Sequence, residues 1–360
     1  MVSTIISLLI LGILIIVHEA GHFLLARRAG VRVLRFSMGF GPTLFKWTRG
    51  HTEYAVSAIP LGGYVKMAGE QREEASHEPW EYLSKPLATR ARIIFAGPLV
   101  NYLVGLLSLW LVFVIGYPDL LPVVGKVVEG MPAQAAGLEP GDHVESIGNR
   151  RIESWEEMTK LIYASPDKPL AFVITHGGER RSLTMTPKPK ASTDLFGRPK
   201  TIGLIGISPS GAFHAVRTNP VAAIGRTLRK QGEWASQTLL SLWFMLTGTL
   251  SVRDSVTGPI GLIYLTSEAV RMGIVPLLFL VSLLSLSLAI FNLLPLPILD
   301  GGHLLFLILE KLRGKPVSMS IQERSAQVSF VLLMAFALVI CINDVSRFGL
   351  LEKLGEWLRR

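Results

Sequence analysis

The chain has 360 residues and a formal net charge of +9; 49% of its residues are hydrophobic and only 18% are charged. Soluble globular proteins carry about 25% charged residues, and disordered chains have low hydrophobicity, so this composition excludes both classes. The single cysteine, Cys341, excludes a disulfide framework and a cysteine-based zinc finger. Because the positive charge lies beside apolar segments, it indicates membrane orientation and not nucleic-acid binding.

Uncharged, apolar stretches predict about four transmembrane helices, since some 18 consecutive apolar residues can cross a bilayer. The predicted helices occupy residues 1–26, 93–117, 274–303 and 325–346. A fifth uncharged stretch, 234–252, is rich in serine and threonine and follows a basic segment. We therefore interpret 210–273 as amphipathic helices at the membrane interface.

The basic residues orient these helices. Residues 27–92 carry eleven Lys or Arg, which by the positive-inside rule places this region in the cytoplasm and the N-terminus outside. Four spans then place 118–209 outside and 304–324 in the cytoplasm, and they return the C-terminal tail, 347–360, to the outside. No basic residue precedes the first segment, so it lacks the charged start of a cleaved signal peptide.

The first predicted helix contains the sequence His18-Glu19-Ala20-Gly21-His22. Histidines four residues apart lie on one face of a helix, where both can bind one metal ion, and the glutamate between them can act as general base. At 1.5 Å per residue His18 lies about 24 Å along the helix, inside a hydrocarbon core of about 30 Å. An ionisable group at that depth needs a partner or a function. Alternatively, the two histidines only cap a helix at the membrane surface.

Asp300 is the predicted third ligand. Catalytic zinc takes three protein ligands, and Asp300 is the only acidic residue at the C-terminal end of the third predicted helix. Prolines and glycines break the helix there, which membranes tolerate only where the backbone is buried in protein or lines a cavity. The first and third helices run in the same direction, so Asp300 reaches the depth of the histidines. Alternatively, Asp300 marks a helix end in water; if 234–252 crossed the membrane alone, Asp300 would face the opposite side.

The sequence HEAGH in the first helix, together with NLLPLPILDGGH in the third, resembles the site-2 protease family of intramembrane zinc metalloproteases. The other matching pieces are residues 39–42, 60–64, 97–101 and 258–260. The resemblance covers nearly the whole chain. It implies that His18, His22 and Asp300 bind Zn²⁺ and that Glu19 is the catalytic base.

The resemblance also assigns residues around the metal. Asn292, Pro295 and Pro297 match the family motif there, and the asparagine is expected to help hold substrate. Equally, Asn292 could serve only to form a hydrogen bond with the backbone where the helix is broken.

The cytoplasmic region contains predicted strands over 34–67. Residues 52–59 alternate polar and apolar side chains, and Arg49-Gly50-His51 forms a turn. In the family this region is a membrane-associated β-hairpin beside the active site, to whose edge an unfolded substrate strand could add. The alternative is a plain cytoplasmic hairpin.

The segment 118–209 resembles a single PDZ domain of α+β type. Its most recognisable part is the turn AAGLEPGD at 135–142, and a helix is predicted to start near Ser154. The predicted carboxylate-binding loop and strand at its C-terminal end is Gly203, Leu204, Ile205, Gly206 and Ile207. That order implies a circularly permuted domain, whose groove would bind a peptide C-terminus.

These features predict a polytopic α-helical membrane protein of the bacterial inner membrane. We expect a zinc-dependent endopeptidase that cleaves transmembrane segments of single-span proteins, such as anti-sigma factors or remnant signal peptides, in contact with membrane lipid. The alternative is a non-enzymatic PDZ scaffold or a zinc carrier. A carrier would need ionisable residues in several spans, and we expect none in the second and fourth.

Overall fold

The computed structural model describes residues 2–71, 75–193, 199–251 and 255–347. They form two compact units. The helical unit contains the described residues of 1–111, 224–239 and 252–360, and the strand-rich unit contains those of 112–223 and 240–251. Apart from Arg347, the predicted C-terminal tail lies outside the described residues.

The described helices are α1 (Val2–Arg28), α2 (Leu87–Ile115), α3 (Pro132–Ala135), α4 (Trp155–Tyr163), α5 (Pro220–Leu246), α6 (Pro259–Met272), α7 (Ile274–Asn292), α8 (Asp300–Arg313) and α9 (Met319–Arg347). The described strands are β1 (Val33–Arg49), β2 (Thr52–Met67), β3 (Tyr117–Leu120), β4 (Val124–Val127), β5 (His143–Ile147), β6 (Arg150–Arg151), β7 (Leu170–His176), β8 (Glu179–Met185), β9 (Lys188–Thr193), β10 (Pro199–Leu204), β11 (Ile207–Pro209) and β12 (Phe213–Val216). Within this part of the chain, four helices are long and apolar enough to cross a membrane: α1, α2, α7 and α9. They confirm the prediction of a polytopic helical membrane protein.

The predicted third helix, 274–303, is broken in the structure. Helix α7 ends at Asn292, and α8 begins at Asp300. Between them the chain turns back on itself, so that a Cβ at Gly301 would overlap the carbonyl oxygens of Leu293 and Leu294. Only glycine fits at that close approach. The break places Asp300 in the first turn of α8.

Glycines let α1 and α2 approach closely. A Cβ on Gly21 would lie 2.5 Å from the carbonyl oxygen of Ala96, and one on Gly97 would overlap the imidazole of His22. Small residues at such contacts are typical of membrane helices, since they allow backbones to pack together. Helix α2 therefore forms a wall directly beside the two histidines of α1.

The strands predicted over 34–67 are confirmed as the antiparallel pair β1 and β2, folded into a small meander. Residues 36–38 of β1 pair with 54–56 on one side and with 63–65 on the other. This arrangement leaves 63–67 at an edge. Phe36 packs against Phe23 of α1, with ring centroids 5.1 Å apart, which attaches the meander to the helix that carries the histidines.

The strand-rich unit is α+β, as predicted. Strands β5 to β8 form an antiparallel sheet in the order β6-β5-β7-β8, and its core includes Met158, Phe172 and Ile174. The helix predicted near Ser154 is confirmed as α4. The Ser154 hydroxyl caps its first turn by accepting a hydrogen bond from the backbone N–H of Glu157, with 3.2 Å between oxygen and nitrogen. The circular permutation stays a prediction.

Part of α5 packs on the apolar helices. The hydroxyl of Ser282 on α7 donates a hydrogen bond to the carbonyl of Gly105 on α2, at 2.8 Å, and its oxygen lies 3.3 Å from the side-chain oxygen of Gln231 on α5. Gln231 is fully buried. The Ser282 contact therefore joins α5 to two of the four long helices, α2 and α7. The interfacial location of 210–273 stays a prediction.

The expectation that the fourth span has no ionisable residue is wrong. Asp344 lies within the predicted bounds 325–346 and within helix α9, and it is fully buried. The two oxygens of its carboxylate accept hydrogen bonds from the backbone N–H groups of Gly258, at 3.2 Å, and Gly261, at 2.9 Å. These groups lie at the start of α6, where unpaired N–H groups and the helix dipole stabilise a negative charge.

Candidate metal centre

The three predicted metal ligands meet in the helical unit. The Nε2 atoms of His18 and His22 are 3.2 Å apart, and Asp300 Oδ2 lies 3.0 Å from the first and 3.4 Å from the second. Their ligand atoms all lie within 4.8 Å of one another. The two histidines are almost fully buried, at 7% and 8% exposure.

These distances fit a zinc ion. Ligands bound at about 2.0–2.1 Å in a tetrahedron lie about 3.3 Å from one another. Asp300 Oδ2 is also buried without a hydrogen-bond partner among the described residues. A cation shared by the three atoms would satisfy it.

The proton positions support the same conclusion. His22 Nδ1 donates to the carbonyl oxygen of Ile93 at 2.9 Å, so in the neutral ring Nε2 carries a lone pair. That lone pair faces the other imidazole and the carboxylate of Asp300. Protonating both rings instead would place two positive charges about 3 Å apart in a buried site, where they repel each other strongly. A metal ion resolves the conflict, because it binds all three atoms as lone-pair donors.

Glu19 faces the same space. A cavity of about 520 Å³ is lined by the three ligand residues and by Glu19 and Tyr64. A Cβ on Gly63, in the edge segment of the meander, would lie 3.3 Å from Glu19 Cγ. The cavity therefore has a carboxylate beside the cluster and a strand edge beside the carboxylate.

Only two of the three family-motif residues line the cavity. Asn292 and Pro297 line the cavity, whereas Pro295 is exposed and is not among the cavity-lining residues. His303 also lines the cavity. The structure thus brings Asn292 and Pro297, but not Pro295, to the cavity that holds the cluster.

Sequence reasoning missed an ion pair in the cavity wall. Arg90 on α2 forms two hydrogen bonds with the carboxylate of Glu310 on α8, at 2.5 and 3.2 Å, and Arg90 is buried. Burial raises the pKa of the neighbouring Tyr82, so its phenol keeps its proton in the same wall. The paired residues lie 220 positions apart, and no local pattern in the sequence signals the contact.

The predicted carboxylate-binding loop lies in the strand-rich unit. Gly203 and Leu204 end β10, Ile207 begins β11, and Gly206 between them has a φ of +83°. A Cβ on Gly203 would lie 2.6 Å from the carbonyl oxygen of Ile162, so β10 runs beside α4. Ile205 is 2% exposed and belongs to the core. The role of this loop in binding a peptide stays a prediction.

Comparison with known proteins assigns this chain to a family. The sequence profile described as Peptidase family M50 matches residues 6–336. The zinc metalloprotease RasP of Geobacillus kaustophilus is 31% identical, with 97% of this chain and 99% of that protein aligned. The regulator of sigma-E protease RseP of Escherichia coli is 32% identical, with 94% and 97% aligned. A solved PDZ domain from Listeria monocytogenes matches 25% of this chain at 25% identity and covers 87% of that domain, with a TM-score of 0.20. That score is too low to carry an argument, so the PDZ assignment stays a prediction.

Proposed function

The chain belongs to peptidase family M50, the site-2 proteases, and we propose that His18, His22 and Asp300 bind its zinc ion while Glu19 is its catalytic base. Membership makes the protein an intramembrane metalloprotease, and the alternatives of a PDZ scaffold or a zinc carrier are set aside. The convergence of the three ligand atoms within 4.8 Å supports the residue assignment most directly.

Zinc in such a site polarises the scissile carbonyl and makes water a stronger nucleophile. Glu19 lies beside His18 in sequence and lines the same cavity. Its carboxylate takes the proton of the attacking water and passes it to the leaving nitrogen. His22 keeps its Nε2 free for the metal because its Nδ1 proton is held by the Ile93 carbonyl.

The substrate reaches the site as an extended strand. A transmembrane helix buries its peptide bonds in its own hydrogen bonds and must unwind before hydrolysis. Residues 63–67 of the meander pair with β1 on one side, and no further strand pairs with them within the described ranges. Tyr64, Val65 and Met67 of this segment line the cavity. A substrate strand added at this edge would be delivered to the cluster, and Asn292, which lines the same cavity, would bind its backbone.

The substrates are single-span proteins of the bacterial inner membrane, such as anti-sigma factors or remnant signal peptides. The name of the Escherichia coli relative, a regulator of a sigma factor, favours the first class. The basic residues of 27–92 favour a cytoplasmic location for the meander and an outer location for 118–209.

The outer module selects substrates. As a PDZ domain it would either bind the new C-terminus left by a first cut, through Gly203–Ile207, or obstruct untrimmed proteins. We favour obstruction, because open access would expose every span in the bilayer to hydrolysis.

The test uses Glu19→Gln with purified full-length protein and a single-span substrate. We expect zinc content to stay at the wild-type level and cleavage to fall by about 10²–10⁴-fold, the usual contribution of a general base. Glu179→Gln, an exposed change in β8, is the matched control and should cleave normally. Unchanged cleavage by the Glu19 variant would contradict the assignment. In cells, substrates that accumulate in its membranes would name the natural targets.

A further inference from the structure

One stripe of α2 faces both histidines. Ile93, Gly97 and Asn101 are spaced four residues apart, so they lie on one face of the helix. Ile93 accepts a hydrogen bond from His22 Nδ1 through its carbonyl. Gly97 has no side chain, and its bare Cα lets both imidazoles approach. Asn101 lies beside His18, with 3.3 Å between its side-chain nitrogen and His18 Nδ1.

The amide of Asn101 is unusual for a transmembrane helix. The residue is 0% exposed, and its Oδ1 atom has no hydrogen-bond partner among the described residues. A polar group buried at membrane depth without a partner is costly. A functional role would account for this cost. The side-chain hydrogen bond described for Asn101 is with His18, a candidate metal ligand.

Metal binding by His18 would give the buried amide oxygen of Asn101 a hydrogen-bond donor. When Nε2 gives its lone pair to a metal, Nδ1 carries the ring proton and must donate it. An amide nitrogen cannot accept that proton, but the amide oxygen can. Rotating the amide by 180° about the Cβ–Cγ bond exchanges the two atoms, brings Oδ1 to Nδ1 and gives the orphaned oxygen its partner.

We propose that Asn101 is a positioning residue for the metal centre: its side-chain oxygen accepts the Nδ1 proton of His18 and so fixes the ring with Nε2 directed at the metal. The proposal rests on the zinc-ligand assignment made above for His18. It makes α2 a template for both rings. His22 is held by a backbone carbonyl, which no substitution removes, whereas His18 depends on one side chain. Outer partners of this kind usually contribute about 10–100-fold to metal affinity.

The experiment measures zinc affinity, by competition with a chelator, in purified full-length protein. The variants are Asn101→Leu, which keeps the size and removes the acceptor, and Asn101→Asp, which keeps an acceptor oxygen. Ser108→Ala is the control, since Ser108 is a buried polar residue seven positions further along α2. Thermal unfolding of the zinc-free proteins reports on folding alone.

We expect zinc affinity to fall about 10–100-fold in Asn101→Leu and to stay within about threefold of wild type in Asn101→Asp and Ser108→Ala. A purely structural role for Asn101 predicts the reverse for Asp, because a second buried carboxylate would disturb the helix contact and the zinc site together. If Asn101→Leu does not fold, Asn101→Asp decides alone.

Two results would overturn the proposal: wild-type zinc affinity in Asn101→Leu, or a tenfold loss in folded Asn101→Asp. Failure of the ligand assignment itself looks different, because His18→Ala would then keep its zinc.

Discussion

Two carboxylates of the helical unit have opposite surroundings: Asp344 is fully buried, and Asp300 is partly buried. Both oxygens of Asp344 accept backbone N–H groups at the start of α6, so this charge is satisfied by the protein alone. Asp300 Oδ2 has no such donor among the described residues and faces two imidazole nitrogens. The Asp344 carboxylate joins two helices, whereas the free oxygen of Asp300 would be satisfied by a bound cation. In this unit, therefore, the carboxylate oxygen without a protein donor belongs to the candidate metal ligand, and the carboxylate with two backbone donors is a structural contact.

The largest effect is expected when the packing of the metal centre is broken at Gly97. A Cβ at this position would overlap His22 Nε2 and lie 2.8 Å from His18 Cε1. In Gly97→Ala both rings must move, so we expect zinc affinity to fall by at least about 100-fold, the upper end of the effect of disturbing ligand orientation. Chelator competition measures it.

Gly225→Ala on α5 is the control for this change. A Cβ there meets nothing within 4 Å, and alanine stabilises a helix by up to about 1 kcal/mol relative to glycine. Wild-type zinc affinity in Gly97→Ala would show that the imidazoles do not occupy the positions described above.

The structural role of the Asp344 carboxylate is tested by substituting this residue. Asparagine keeps one accepting oxygen and loses the second, together with the charge that the helix start stabilises. We expect Asp344→Asn to lower the free energy of unfolding by about 1–3 kcal/mol, the usual effect of losing a charged hydrogen bond. Thermal unfolding in detergent measures it. An unchanged unfolding temperature would show that Asp344 is not an anchor between α9 and α6.

The smallest effect concerns the strand-rich unit, where β3 pairs with β12. This pairing brings together the two ends of 122–209, the part of the predicted PDZ domain that follows β3, as shown by the hydrogen bond between Leu121 N and Ala212 O, 2.9 Å. The module can therefore be replaced by a short glycine linker. If it obstructs, deletion should raise cleavage of an untrimmed substrate several-fold; if it recruits, deletion should slow cleavage of a trimmed one. Unchanged rates for both would leave the module without a role in selection.

Local patterns predicted the parts of the site that obey a periodicity. The spacing of His18 and His22 places both on one helix face, and the prolines and glycines around Asp300 predicted the helix break that orients it. Ser154 marked the start of α4, where the structure shows its hydroxyl accepting the N–H of Glu157. These features depend on neighbours within one or two turns.

Contacts between distant segments were not predictable in this way. Nothing near Arg90 points to Glu310, and nothing near Asp344 points to its backbone partners, 83 and 86 positions away. Ile205 was expected to line a groove, but it belongs to the core. Such outcomes are set by packing between elements, and local sequence patterns do not specify it.

The central claim is tested most directly by counting zinc per chain in Asp300→Asn and Asp344→Asn, purified in parallel with wild type. The two variants make the same chemical change in two carboxylates of one unit. We predict close to one zinc in wild type and in Asp344→Asn, and a small fraction of that in Asp300→Asn, because the amide is a poor zinc ligand. Full zinc occupancy in Asp300→Asn, or its loss in Asp344→Asn alone, would contradict the account.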